Sequence, residues 1–566
     1  MHDLIIRGGI VIDGSGNPRQ AADIAIDGER ITAVGSVEGE ARRVIDASGC
    51  LVTPGWVDVH THYDGQATWD PILAPSSWHG VTTVVMGNCG VGFAPVRPGE
   101  ENFLIELMEA VEDIPGTALV EGMKWGWETF AEYLDALDAM PRAIDVGTQV
   151  PHAAVRAYVM GRRCNSNDDL PTDAEIEQMA AIVRDGIKAG ALGFSSSRTL
   201  LHKDKYGVHM PGTFAGSDEM LALGLSMKGL DHGVFELVSD HLGNDDEWAW
   251  VQQFAAETGR PVTLVATSAG AYAGNKMFKL AEAARLQGIE VRPQIAGRPT
   301  GVLHGLQSNF HVFVRHPTFA TELAHLPLAE IVARMQDPAI KRRILNEHSS
   351  ITRTLSAASL ADLLWQIFPL GEAPNYEPNR EDSVAGIAER RGQDAFEVMY
   401  DLLIGNGGKD LFYQPLGGYQ NYNFDFFRTN MQHPNIMFGL SDGGAHCGVI
   451  ADAGMPTFIL THWGRDRTKG ERLPLEYLVR KLSFDTAAAY GMHDRGLLSP
   501  GKLADVNVID FDKLTLHRPE AVFDLPAGGK RLVQQVDGYR HIVKRGTPIF
   551  ESGQHTGALP GKLVRG

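Results

Sequence analysis

Eight apolar segments of strand length, at 51–60, 81–87, 144–152, 190–197, 233–240, 261–268, 289–297 and 435–443, constrain this chain more than any other feature. Several alternate with stretches of helical periodicity. In 172–189, Thr172 and Glu175 form a capping-box signature, and Ile176, Met179, Ile182, Val183 and Ile187 recur on one helical face before the strand GALGF. A second helix over 246–259 is stopped by Gly259 and feeds PVTLVATS, and helix 276–286 feeds IEVRPQI. Alternating β and α elements in this number predict an α/β fold of the (β/α)8 TIM-barrel type, with functional side chains at the C-terminal ends of the strands. An open doubly wound sheet is the alternative. It wants a glycine fingerprint after its first strand, and none stands there.

The two ends read differently. LIIRGGIVID, ADIAIDGERITAVG and RRVIDASGCLV are short β-branched runs broken by Gly and Asp-Gly turns, and ADVNVIDFD, KRLVQQVDGYRHIVKRG and TPIFESG match them near the C-terminus. A small β-sandwich domain built from 1–52 and 491–566, flanking a barrel over 53–490, is expected. The seventh and eighth strands are separated by about 140 residues, far beyond an ordinary βα connection, so an insertion at about 300–430 is expected over the barrel mouth. Phe412, Tyr413, Tyr419, Tyr422, Phe424, Phe426 and Phe427 crowd together within it. They read either as the insertion's own core or as an apolar wall for substrate.

Composition removes several classes of function. Lys plus Arg total 51 against 70 Asp plus Glu, a net charge of −19 that repels nucleic-acid phosphates and anionic lipid. No segment reaches the roughly 18 apolar residues of a membrane span. The four cysteines, Cys50, Cys89, Cys164 and Cys447, are too few and scattered for a disulfide framework, which fits a reducing cytoplasm. With 21 histidines beside them, metal chemistry is the reading to test.

The first barrel strand runs into VTPGWVDVHTHYD. His60 and His62, two apart on an extended strand, project to one face and can share a metal ion. The second strand ends GVTTVVMGNCGVGFAP, placing Cys89 at the same rim among Gly87, Gly90 and Gly92. A buried cysteine is ordinarily an inert core thiol, but here a thiolate ligand to Zn(II) is the alternative. The eighth strand ends NIMFGLSDGGAH, where Asp442 is either a turn aspartate or a metal ligand and proton carrier. His152 and His446 fall near the rim as metal or outer-shell candidates. Arg298 and Arg198 follow the seventh and fourth strands, suited either to clamp a substrate carboxylate or to form rim salt bridges.

Together with DRGLLSPGKLADVNVIDFD, these motifs resemble, over nearly the whole chain, the amidohydrolase superfamily and its N-acyl-D-amino-acid deacylase (D-aminoacylase) branch. The resemblance implies that His60, His62 and Asp442 hold one metal position, and that Cys89 replaces a carboxylated lysine at a neighbouring, tighter zinc. The family's histidines at the ends of strands five and six have no clear counterpart. Strand five reads GVFELVSDH, offering Asp240 or His241, with Glu236 a poorer candidate, and strand six reads PVTLVATSAG. A divergent member is therefore expected, with one or two zinc ions or another divalent metal.

The function expected is hydrolysis of the amide of an N-acyl-D-amino acid or related small N-acyl amine, by metal-activated water with Asp442 as general base and acid. Cyclic-amide hydrolysis and a catalytically silent barrel are the alternatives. A small-molecule substrate is the only partner expected, and homo-oligomerisation is left open.

Overall fold

A computed structural model describes residues 1–204, 206–266, 271–347 and 362–566, the side chains of 271–275 excepted. Its centre is an eight-stranded sheet of Trp56–Asp58 (β1), Val81–Met86 (β2), Asp145–Pro151 (β3), Gly193–Arg198 (β4), Val234–Ser239 (β5), Val262–Val265 (β6), Val291–Ile295 (β7) and Met437–Phe438 (β8). Every neighbouring pair is parallel and in sequence order. Thr61 bridges Gly443 just beyond the ends of β1 and β8 and closes the barrel. The expected strand six extends to 267–268, which lie outside the described residues.

The helices form where the periodicity places them. Thr172 and Glu175 complete the capping box of Asp173–Lys188, whose buried face includes Met179, Val183 and Ile187. Gly259, at φ 65°, ends Asp245–Thr258 and donates its N–H to Ala255. Among the described residues, no helix is long and apolar enough to cross a membrane.

Strands from both termini join one nine-stranded sheet. Within it, Leu51–Pro54 pairs antiparallel with Val506–Ile509, and both pack into a core with Ile6, Ile24, Ile45 and Val543. The expected strand 51–60 is thus two strands in two sheets. The change occurs at Gly55, where a Cβ would lie 2.3 Å from Thr82. Similarly, KRLVQQV and GYRHIVK separate at Gly538, φ 107°. The first joins a hairpin of Thr515–Leu525 and Gly529–Asp537 laid against the barrel, where Leu532 N–H donates to Cys447 O at 2.6 Å, and only the second enters the terminal sheet.

The chain end runs under the barrel. Val146 N–H donates to Lys562 O (3.1 Å), and Val564 N–H to Val146 O (2.7 Å). Here the buried Asp145 carboxylate meets Arg495 at 2.6 Å, Lys544 at 2.9 Å and Arg545 at 2.9 Å.

Between β7 and β8, the strands Gly301–His304, Phe368–Pro369 and Phe412–Pro415 form a small antiparallel sheet. Helices Leu328–Met335, Pro338–Asn346, Val384–Arg391 and Ala395–Ile404 surround a separate core containing Phe313, Leu323, Ile344 and Leu403. Of the clustered aromatics, only Phe412 belongs to that core. Tyr413, Tyr419, Phe424 and Phe427 are buried in the main core, with Tyr422 and Phe426 packed against it.

Candidate metal centre

Beyond β1, the chain stays bound to its neighbours. His62 N–H donates to Gly443 O (2.8 Å), and Asp442 N–H to His60 O (3.2 Å). This brings the two imidazoles beside Asp442. Its Oδ1 lies 3.6 Å from His60 Nε2 and 3.9 Å from His62 Nε2, while Cys89 Sγ is 3.3 Å from His60 Nε2. The ligand atoms of His60, His62 and Cys89 all fall within 4.8 Å of one another. Both histidines are 1% exposed, whereas the Asp442 side chain retains 13%.

The Asn88-Cys89-Gly90 turn has a mechanical explanation. Asn88 Nδ2 donates to Thr61 O and Val85 O, both at 3.0 Å, and its Oδ1 accepts from Gln149 Nε2 at 2.8 Å. One side chain thereby joins the ends of β1, β2 and β3. Cys89 adopts φ 54°, and its N–H donates to Glu236 Oε2 at 2.9 Å. At Gly87, φ 75°, a Cβ would meet Gln149 O at 2.4 Å. Asp442 and His446 both have φ 50°, so three polar groups at this mouth sit in the left-handed region that non-glycine residues rarely adopt.

Each imidazole presents Nε2 to the cluster and turns Nδ1 away. His60 Nδ1–H donates to Gln294 Oε1 (2.9 Å), and Gln294 Nε2 donates to Thr263 Oγ1 (3.1 Å). Strand six therefore supports His60 through Thr263. His62 Nδ1 faces Glu112 Oε1 at 3.5 Å, and Glu112 Oε2 faces His446 Nε2 at 3.5 Å.

Burial dominates the electrostatics. It lowers His60 to about 3, partly opposed by Gln294, and holds His62 well below its ordinary value. His446 and His202 repel both rings further. Burial pushes Asp442 up to about 8, with Asp452 and Asp58 adding to it, and pushes Glu236 to about 8 against the Cys89 N–H. The Cys89 thiol is raised well above its ordinary value by burial, with Glu236 and Glu112 adding repulsion. Neutral imidazoles are ready to donate to a metal as they stand, and a divalent cation would promote loss of the proton that burial makes the neighbouring thiol and carboxyl hold. Among the described residues, His62 Nδ1, Glu112 Oε2 and Glu236 Oε1 are buried without a hydrogen bond. The donor set of His60, His62 and Cys89 fits a metal ion.

A family model described as the amidohydrolase family matches residues 43–550. The chain belongs to the amidohydrolase family. A D-aminoacylase of Alcaligenes xylosoxydans xylosoxydans is 27% identical over 582 residues, spanning 99% of this chain and 97% of that one. Two solved structures share the fold over the full length of both chains. One is a D-aminoacylase with a binuclear metal centre showing one-metal activation and second-metal attenuation (TM-score 0.64, 23% identity). The other is an N-acyl-D-glutamate deacylase from Bordetella bronchiseptica, complexed with zinc and a phosphonate inhibitor (TM-score 0.63, 24% identity).

The remaining site candidates of this amidohydrolase lie elsewhere or are already engaged. His152 is fixed between Ser196 Oγ (2.8 Å) and Glu219 Oε1 (3.0 Å), in a network with Arg156. Asp240 is exposed at the rim and accepts from Leu200 N–H at 2.8 Å, and His241 donates its N–H to Ser239; neither belongs to the His60–His62–Cys89 group. Arg298 is 1% exposed, pairs with Asp452 at 2.8 Å and lies 3.9 Å over the Tyr376 ring. Arg198 pairs with Glu247. Each guanidinium that sequence proposed as a substrate clamp thus already holds a protein carboxylate. His446 does stand beside the site, against Glu112.

Sequence reasoning passed over Glu112, Gln294 and His202. Glu112 ends the helix Glu101–Glu112 (α1), where an acidic residue reads as ordinary solvated surface. His202, beyond β4, bonds Ser197 Oγ at 2.9 Å and repels His60, His62 and His446. No motif marks any of the three; their signal is three-dimensional.

Proposed function

We propose that this amidohydrolase hydrolyses the amide bond of an N-acyl-D-amino acid or a related small N-acyl amine, using one zinc ion held by His60, His62 and Cys89 with Asp442 beside it. The observation that carries the reading is the convergence of these four side chains at the C-terminal mouth of the barrel, two imidazoles and a thiol within 4.8 Å and a carboxylate at 3.6 Å. A mixed nitrogen and sulfur set suits zinc. One ion rather than two is favoured because, among the described residues, His60, His62 and Cys89 are the one group of three or more side chains placed to hold a metal. One-metal activation is described for the solved D-aminoacylase of like fold.

When bound, a divalent ion in this donor set supplies Lewis acidity toward the acyl carbonyl and lowers the pKa of the attacking water. The chain's own residues do the rest. Asp442, whose Oδ1 lies beside both imidazoles, takes the water's proton and returns it to the amine nitrogen, which is too basic to leave as an anion. Gln294 holds His60 in the tautomer that keeps Nε2 directed inward. The side chain of Asn88 keeps the Cys89 turn seated on the ends of β1 and β2.

Elemental analysis of protein purified without chelator is expected to give about one zinc per chain, falling to a small fraction in His60→Ala and His62→Ala. Matched N-acetyl-D- and N-acetyl-L-amino acids, with the corresponding N-acetyl amines, then test the substrate. Hydrolysis of none of them, or of the L forms alone, would sink the assignment, as would full activity in metal-free protein.

A further inference from the structure

The two histidines of the cluster differ in what stands behind them. His60 Nδ1 has a formed hydrogen bond to Gln294, and that amide is itself anchored. His62 Nδ1 is buried and has no formed hydrogen bond among the described residues, with the Glu112 carboxylate 3.5 Å away. A neutral imidazole that gives Nε2 to a metal carries its proton on Nδ1, and a buried N–H left without an acceptor costs about 1–3 kcal/mol. His62 therefore needs an acceptor at the position Glu112 occupies.

Glu112 is an improbable residue to bury there for packing alone. Its side chain is 2% exposed, and burial, with repulsion from Asp442, Asp64 and Glu236, works against its charge. Nor is the carboxylate required to hold α1 in place. Asp113, at φ 49°, ends that helix, and its own carboxylate accepts from Gly448 N–H (2.9 Å) and Asn309 Nδ2 (3.0 Å). The backbone carbonyl of Glu112 accepts from His446 N–H. The helix end is thus tied to the loop after β8 and to the insertion by other groups, leaving the carboxylate aimed at two imidazoles.

We propose that Glu112 is a positioning residue of the metal centre: it accepts the Nδ1–H of His62, fixing the tautomer that turns Nε2 toward the ion, while His446 steadies its second oxygen. The inference rests on the metal-dependent reading above. Carboxylates behind metal-bound histidines raise ligand basicity and orient the ring, and losing one typically weakens metal binding 10–100-fold.

The test is zinc affinity, measured by competition with a chromogenic chelator on full-length wild type, Glu112→Ala and Glu112→Gln, alongside the melting temperature of each protein without metal. The expected result is a loss of about 10–100-fold in zinc affinity for Glu112→Ala and a smaller loss for Glu112→Gln, which keeps an acceptor without the charge. Metal-free melting temperatures should be equal to or above that of wild type, because a buried carboxyl without a formed hydrogen bond has been removed. The visible bands of the cobalt-substituted protein should shift in the same order. Zinc affinity within threefold of wild type in both variants, or a loss that merely follows a lowered metal-free melting temperature, overturns the inference. Should Glu112→Ala fail to fold, Glu112→Gln decides by the same criteria. Wild-type protein that holds no zinc overturns both this inference and the function it rests on, whereas zinc held equally by wild type and variants overturns the inference alone.

Discussion

Asp442→Asn is expected to retain most of its zinc and to lose turnover by about 10²–10⁴-fold, the range associated with removing a positioned proton carrier. The substitution preserves shape and one oxygen. Backbone contacts that set the side chain, including Asp442 N–H to His60 O and the φ of 50°, do not involve the carboxylate. What disappears is the ability to accept a proton at Oδ1 and release it again. The same variant should leave KM little changed if the group acts on the reacting atoms rather than on substrate binding. Steady-state kinetics together with a metal count decide the matter: activity within tenfold of wild type at full zinc occupancy removes Asp442 from the proton-transfer role, and loss of zinc in proportion to activity makes it a ligand only.

Much of this site is legible in sequence because its parts are local. His60 and His62 are two apart in one short segment just past β1 and both meet at the cluster, and the glycines around Cys89 announce a turn no larger residue accommodates. Barrel order is legible for a similar reason, since parallel strands buried on both faces appear as uninterrupted apolar runs. What escapes is whatever depends on distant packing. Nothing in VTPGWVD shows that Gly55 separates two sheets, because the constraint is Thr82 pressing from β2. Nothing in EAVEDIP shows that Glu112 turns inward, because the partner histidines lie fifty residues before it and over three hundred after it. Arg298 shows the same dependence on distant packing. Its chemistry suits a substrate clamp, but Asp452 and Tyr376, each over seventy residues away, already occupy it.

The second large effect concerns stability. Asp145→Ala is expected to cost about 3 kcal/mol, because it removes the counter-charge that buried Lys544 and Arg495 share and leaves them Asp505 and Asp494 alone. Burial alone would raise the Asp145 carboxyl, but Lys544, Arg495 and Arg545 outweigh it and hold the group below the ordinary carboxylate range. A depressed folded-state value contributes stability that is fully present above the unfolded pKa, about 3.9, and lost as pH falls through the folded one. The difference between wild type and variant should therefore be constant near neutrality and shrink below about pH 4. Urea unfolding at several pH values measures it. A difference under 1 kcal/mol at pH 7, or one that grows on acidification, contradicts the network's role.

The pairing of Leu51–Pro54 with Val506–Ile509 also sets a schedule for the living chain. Those two strands meet across roughly 450 residues, among the most entropically costly loops the molecule closes, and one that cannot close while the second strand is still unmade. On a ribosome, all eight barrel strands are synthesised before Val506–Ile509, so the terminal sheet is completed after them. The strands His2–Val11, Gln20–Asp27, Arg30–Gly35 and Ala41–Asp46 pair among themselves, and the core they share with Val506, Val508 and Val543 is completed only when those distant residues exist.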